Sequence, residues 1–153
     1  MAIVYLSIGS NLGRREDNCL KALKAIEEKG MTIKKRSLLY ETEPWGVREQ
    51  PYFINMAVEV ETNLPPDKLL HVVKEIEKEM GRTETYKWGP RIIDIDILLY
   101  DDLIHETSDL KIPHPFMHER DFVLRPLSEI APDKVHPVLN KTISELLQNL
   151  QRP

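Results

Sequence analysis

The stretch WGPRIIDIDILLY, Trp88 to Tyr100, decides the fold of this chain. From Ile93 onward the pattern has a period of two. Ile93, Ile95, Ile97 and Leu99 fall on one side, and Asp94, Asp96, Leu98 and Tyr100 on the other. Alternation over this length, rich in β-branched residues and entered through a Gly-Pro turn, predicts a strand. An Ile-rich strand with two neighbouring carboxylates on its second face also raises a chemical question.

Upstream, Pro65-Pro66-Asp67 opens a helix with Leu69, Leu70, Val73, Ile76 and Met80 on one stripe, closed by Gly81. Before it, YFINMAVEVET puts Phe53, Asn55, Ala57 and Glu59 on one strand face and Ile54, Met56, Val58 and Val60 on the other. TIKKRSLLYETE reads as another strand. A first helix follows Arg15, with Leu20, Leu23 and Ile26 at helical spacing, Cys19 beside them and Gly30 at the cap. A first strand, Ile3 to Ile8, ends at the turn cluster Gly9-Ser10-Asn11. The order is βαββαβ. Two helices on one face of an antiparallel sheet give an α+β, ferredoxin-like sandwich. The Pro-rich remainder adds a C-terminal hairpin (Leu103 to Ile112), a short helix near Phe122 to Ile130 and a last helix from Thr142. With no repeat and no linker, residues 1–153 are expected to form a single domain.

The bulk properties exclude several classes. Of the 153 residues, 41% are hydrophobic and 30% charged, a soluble balance. A net charge of −4 argues against nucleic acid as a partner. One cysteine, Cys19, excludes an intrachain disulfide and a Cys-based zinc site. No apolar run reaches the ~20 residues of a membrane span. The N-terminus lacks a basic leader, so the expected compartment is the cytoplasm and no membrane partner is expected.

Residues two apart on a strand share a face, with Cα atoms ~6.5 Å apart. Two ionised aspartates at that spacing repel, and burying either unpaired is costly. Three arrangements relieve this: a solvated face, pairing with arginines, or a divalent cation between the carboxylates. Mg²⁺ takes few carboxylates and accepts phosphate oxygens, so the pair suits a nucleotide site. Arg91 lies three residues before Asp94, and Arg82 follows the second helix. Guanidinium plus metal is a common grip on polyphosphate. No Walker A sequence is present: GSNLG is too short and has no lysine in place.

KWGPRIIDIDIL (87–98) resembles the defining motif of the 6-hydroxymethyl-7,8-dihydropterin pyrophosphokinases of folate biosynthesis. LSIGSNLG (6–13), YETEPWG (40–46), QPYFIN (50–55) and IPHPFMHERDFVLRPLSEIAP (112–132) are similar to that family's other segments, in the same order. The resemblance implies transfer of pyrophosphate from ATP to the pterin hydroxymethyl oxygen, with AMP released. It implies ATP as co-substrate and two Mg²⁺ ions on Asp94 and Asp96, with Arg82 and Arg91 as the other catalytic groups. Nucleotide contacts carry over to Glu77, Arg82, Trp88, Arg91, His114 and Arg120. Pterin contacts carry over to Thr42, Pro44, Trp45, Phe53, Asn55 and Phe122, with the ring between the two phenylalanines. Asn55 is also odd for a core strand on its own terms, and its carboxamide both donates and accepts. The segments Pro44 to Pro51 and Arg82 to Pro90 are long enough to act as lids. The expected partners are two small molecules, and the expected state is a monomer.

The chain departs from the family pattern at Glu84 and Phe116, where relatives often carry arginine, and at Phe53, where tyrosine is more frequent. Two rival readings are a Mg-dependent nucleotidyltransferase and a non-catalytic ferredoxin-like ligand-binding module. Against the first, Gly9-Ser10 lies more than 80 residues from Asp94, too far for one local strand-turn-strand unit.

Overall fold

A computed structural model describes residues 1–43, 49–81 and 90–151. Strand β1 spans Ala2–Ser10 and helix α1 spans Arg15–Glu28. Strands β2 (Thr32–Arg36), β3 (Tyr40–Thr42) and β4 (Phe53–Thr62) follow, then helix α2 (Pro66–Glu79) and strand β5 (Asp94–Tyr100). A two-stranded hairpin, β6 (His105–Glu106) with β7 (Lys111–Ile112), leads to a 3₁₀ turn at Met117–Glu119. Helices α3 (Asp121–Ile130) and α4 (Ile143–Gln151) close the described chain. The main sheet is antiparallel, in the order β2-β4-β1-β5, with β3 also paired to β4.

Alternation splits the sheet into two faces. Val4, Leu6 and Ile8 of β1, Ile54 to Val60 of β4 at every second residue, and Ile95 and Ile97 of β5 pack with α1 and α2. Tyr5, Ala57 and Leu99 turn to the opposite face, against Val123, Leu124 and Leu127 of α3 and Ile143 and Leu146 of α4. The helices α1 and α2 thus share one face, as the element order suggests, and the added C-terminal helices α3 and α4 cover the other. The C-terminal third covers the second side because Tyr5, Ala57, Leu98 and Leu99 make part of that side apolar too.

Several local readings change for identifiable reasons. The buried stripe of α1 is Cys19, Ala22, Leu23 and Ile26, whereas Leu20 is 46% exposed. The i, i+3, i+4, i+7 set admits small Ala22 and leaves Leu20 outside. TIKKRSLLYETE is two strands rather than one. Ser37 breaks it, its hydroxyl accepting from the Ala57 N–H while its own N–H donates to the Ala57 carbonyl. β1 runs through Gly9 and Ser10, so the turn begins later than the Gly-Ser-Asn cluster suggests. Leu99 does not share the Ile95 face. The β1–β5 register shifts between Tyr5 and Leu6, so Tyr5 pairs with Leu99 and Leu6 with Ile97, leaving Leu98 as the extra residue of a bulge.

The helix ends follow their local chemistry. Gly30, at φ +92°, closes α1 as its N–H and that of Met31 return to the Glu27 and Ile26 carbonyls. Thr142 and Glu145 form a reciprocal capping box before α4, each side chain accepting the other's backbone N–H at 3.0–3.1 Å. Glu129 of α3 accepts from the Tyr40 hydroxyl at 2.6 Å and the Leu38 N–H at 3.1 Å, fixing α3 over the β2–β3 break.

Candidate active site

Strand register assembles the site. Tyr40, Asn55, Gly9 and Asp94 form one row across β3, β4, β1 and β5. The next row along β1 sets Ala57, Ser7 and Asp96 side by side. Thr42 pairs with Phe53 one row the other way. All these side chains share the face that carries α3, because directly paired residues point to the same side and successive rows lie two residues apart along each strand. The polar end of that face thus begins at Phe53 and Asn55 and ends at the two aspartates.

β5 is an edge strand, and its outer edge is occupied. Glu77 of α2 is 2% exposed, and its Oε2 accepts the Ile95 N–H at 2.8 Å while Oε1 faces Lys74 Nζ at 3.7 Å. Farther along, the Leu98 carbonyl accepts the His114 N–H at 2.9 Å. These two contacts pair the free backbone of the edge and place Glu77 and His114 beside the strand that bears both aspartates. Glu77 is buried in the joint between α2 and β5, directly behind Ile95.

His114 Nδ1 accepts the Phe116 N–H at 3.2 Å, so a neutral imidazole carries its proton on Nε2. Burial pushes its pKa down to about 4, helped by the positive Arg120 and opposed by Asp94. Arg120 is 6% exposed. Its guanidinium lies 5.1 Å from the Phe116 ring centroid and 5.6 Å from that of Phe122. Burial lowers its pKa, while Asp96 and Asp94 hold it up, which puts this cation within the field of both carboxylates. His114, Arg120 and Phe122 therefore converge on the Asp94–Asp96 end of the face.

Asn55 is buried, its Nδ2 donating to Thr42 Oγ1, with the Phe53 ring beside Gly9. Arg91 is held through its backbone: its N–H donates to Asn11 Oδ1 at 2.8 Å, and its carbonyl accepts the Asn11 N–H at 3.0 Å. The Asn11 amide also donates to Gln50 Oε1 and the Pro51 carbonyl. Asn11 thus ties the approach to β4 to the approach to β5. Arg82, Trp88, Pro44 and Trp45 lie outside the described residues, as do most of the two expected lids and Glu84.

Among the described residues no group of three or more His, Cys, Asp or Glu side chains could hold a metal. The available donors are the two carboxylates of β5. Hard oxygen donors in so small a number leave most coordination positions to water and ligand oxygens, which fits Mg²⁺ bound together with a phosphate. Three residues of the site escaped sequence reasoning. Gly9 and Asn11 belong to a turn cluster by sequence, although a glycine ending an alternating run can mark a close approach within a strand. Ser7, small and buried beside Asp96, carried no separate signal.

The family model for 7,8-dihydro-6-hydroxymethylpterin-pyrophosphokinase (HPPK) matches residues 5–132. The chain is 48% identical to the 2-amino-4-hydroxy-6-hydroxymethyldihydropteridine pyrophosphokinase of Aquifex aeolicus over 145 residues, covering 95% of this chain and 90% of that protein. It is 51% identical to the folic acid synthesis protein FOL1 of Dictyostelium discoideum over 148 residues, 97% of this chain but only 22% of that much longer protein. A crystal structure of HPPK-DHPS in complex with substrates superposes with a TM-score of 0.77 at 20% identity, covering 97% of this chain and 43% of that one. A Plasmodium falciparum HPPK-DHPS triple mutant with STZ-DHP gives 0.78 at 21%, with coverage of 97% and 43%. At those identities the likeness speaks to the fold, a mixed α/β unit built on an antiparallel sheet.

Proposed function

The chain belongs to the 7,8-dihydro-6-hydroxymethylpterin-pyrophosphokinase family, and from that premise we propose that it transfers pyrophosphate from ATP to 6-hydroxymethyl-7,8-dihydropterin, releasing AMP. It is a diphosphotransferase of folate synthesis acting on two small molecules. One observation carries the assignment of the site. A single sheet face joins an aromatic and amide end, Phe53, Asn55 and Thr42, to an acidic and cationic end, Asp94, Asp96, His114 and Arg120. A flat heterocycle with an amide edge suits the first end. A triphosphate with its metal suits the second.

In this reading Asp94 and Asp96 are the metal ligands, for two Mg²⁺ ions. When bound, these supply charge neutralisation across the triphosphate and acidify the attacking hydroxymethyl oxygen. Arg120, already desolvated and fixed by two aromatic rings, meets phosphate charge without a reorganisation cost at the moment of reaction. His114 offers a neutral Nε2–H donor at pH 7, because Nδ1 is engaged by Phe116 and burial opposes protonation. Arg91 is aimed from a backbone clamped by Asn11. Glu77 serves the nucleotide side by fixing Ile95 between the two aspartates. Phe53 and Phe122 stack the pterin, and Asn55 reads its edge beside Thr42. Arg82 and Trp88 complete the phosphate side, and Pro44 and Trp45 the pterin side, as the family motif implies.

The finer fold reading, a ferredoxin-like βαββαβ sandwich with an added C-terminal hairpin and helices, is supported by the order β2-β4-β1-β5 if β2 and β3 count as one broken strand. Residues 1–153 then form one pyrophosphokinase domain, acting as a monomer. The deciding assay incubates the protein with ATP, Mg²⁺ and 6-hydroxymethyl-7,8-dihydropterin and resolves products by mass. AMP with pterin diphosphate is expected. Free pyrophosphate with an adenylylated pterin would identify a nucleotidyltransferase, and binding without turnover a non-catalytic module.

A further inference from the structure

We propose that Gly9 is a positioning residue for the pterin side: its missing Cβ is the space that sets the Asn55 carboxamide. The proposal rests on the reading of Asn55 as the pterin-edge contact. Gly9 stands between Asn55 and Asp94 in one register row, with its α-hydrogen on the shared face. A Cβ built there would come 2.6 Å from Asn55 Oδ1 and 3.5 Å from Phe53 Cδ1. The first distance is shorter than side-chain contacts tolerate, so the Asn55 amide lies where an ordinary strand residue would put its own side chain.

The amide is held by a hydrogen bond. Its Nδ2 donates to Thr42 Oγ1 on the neighbouring strand, which turns Oδ1 over Gly9. Held so, Oδ1 remains an acceptor, and Nδ2 keeps a second hydrogen for an amide-like edge. Any side chain at position 9 pushes Oδ1 away and breaks either the Thr42 bond or the alignment. The β1 backbone is no obstacle to other residues at this point. Gly9 is absent from the glycines with positive φ, and a strand interior ordinarily favours alanine over glycine. Gly9 is therefore costly by local propensity and is explained by the close approach of Asn55.

The test is a double-mutant cycle on the whole chain, read by calorimetry with 6-hydroxymethyl-7,8-dihydropterin and separately with a non-hydrolysable ATP analogue and Mg²⁺. Gly9→Ala is expected to weaken pterin binding tenfold or more and to leave the affinity for the ATP analogue within twofold. Asn55→Ala is expected to lose pterin affinity as well, and the double variant to be no weaker than Asn55→Ala alone, because Gly9 acts through that amide. Additive losses overturn the proposal, as does unchanged pterin affinity in Gly9→Ala beside a clear loss in Asn55→Ala. Unchanged affinity in Asn55→Ala removes the premise itself and is recognisable as that failure. If Gly9→Ala folds poorly, adding Asn55→Ala removes the obstructing atom and should restore Tm; a double variant that stays unstable also overturns it.

Discussion

The two faces of the central sheet are built from the same strands and do opposite things. On the face covered by α1 and α2, nearly every inward residue is aliphatic, from Val4, Leu6 and Ile8 to Ile95 and Ile97. On the other face the apolar set is confined to the end near Tyr5, Ala57 and Leu99. The remainder includes Asn55, Gly9, Ser7 and the two aspartates, spread over two adjacent register rows, a set no hydrophobic core would select. One face converts burial into stability. The other concentrates charge at one end, a cost that the first face must offset.

That contrast predicts a separation of phenotypes. The largest effect is expected from Asp96→Asn, which should cost about three orders of magnitude or more in kcat, ~4 kcal/mol of transition-state stabilisation, with Tm hardly lowered. A loss under tenfold would remove Asp96 from metal binding. On the opposite face, Leu6→Ala empties a fully buried position and should cost about 2–5 kcal/mol of stability by urea denaturation. The kcat of the molecules that remain folded should hold. If kcat instead falls with stability intact, the faces are not separable.

Phe122→Ala should weaken pterin binding by about 1–3 kcal/mol through lost stacking and apolar contact, measured by calorimetry. The same variant tests the support of Arg120, whose guanidinium lies near that ring. A parallel loss of affinity for an ATP analogue would show that one aromatic serves both ends of the face.

The smallest expected effect is in pH. His114 is held near pKa 4 in the folded protein, below its ordinary 6.5. Between those values the unfolded chain binds the extra proton, so this residue's contribution to stability is present above about pH 6.5 and is lost as the pH falls toward 4. Denaturation midpoints of wild type and His114→Gln should therefore converge on acidification. Parallel curves across that window would mean the imidazole is not confined in its neutral form.

The sequence alone was sufficient where chemistry is local. Period-two alternation places β4 and β5 and separates Ile54, Met56, Val58 and Val60 from Phe53, Asn55, Ala57 and Glu59. Gly30 and Gly81 marked helix ends because left-handed backbone is inexpensive only for glycine. The aspartate pair is legible as a candidate site because two like charges on one strand face must be relieved by solvent, by cationic side chains or by a metal. Leu20 misled because an apolar residue on an exposed helix flank satisfies the same spacing rule as a core one.

What only the tertiary structure decided is everything that depends on register between distant segments. The bulge at Leu98 turns Leu99 toward α3, which no single-strand pattern contains. Glu77 meets Ile95, and Asn11 meets Gln50 and Arg91, across separations of 18, 39 and 80 residues. The vacancy at Gly9 has meaning only once β4 lies beside β1. Side-chain periodicity is fixed by each strand's own backbone, and so is written in the sequence. Which side chains become neighbours across strands is fixed by the packing of the whole chain.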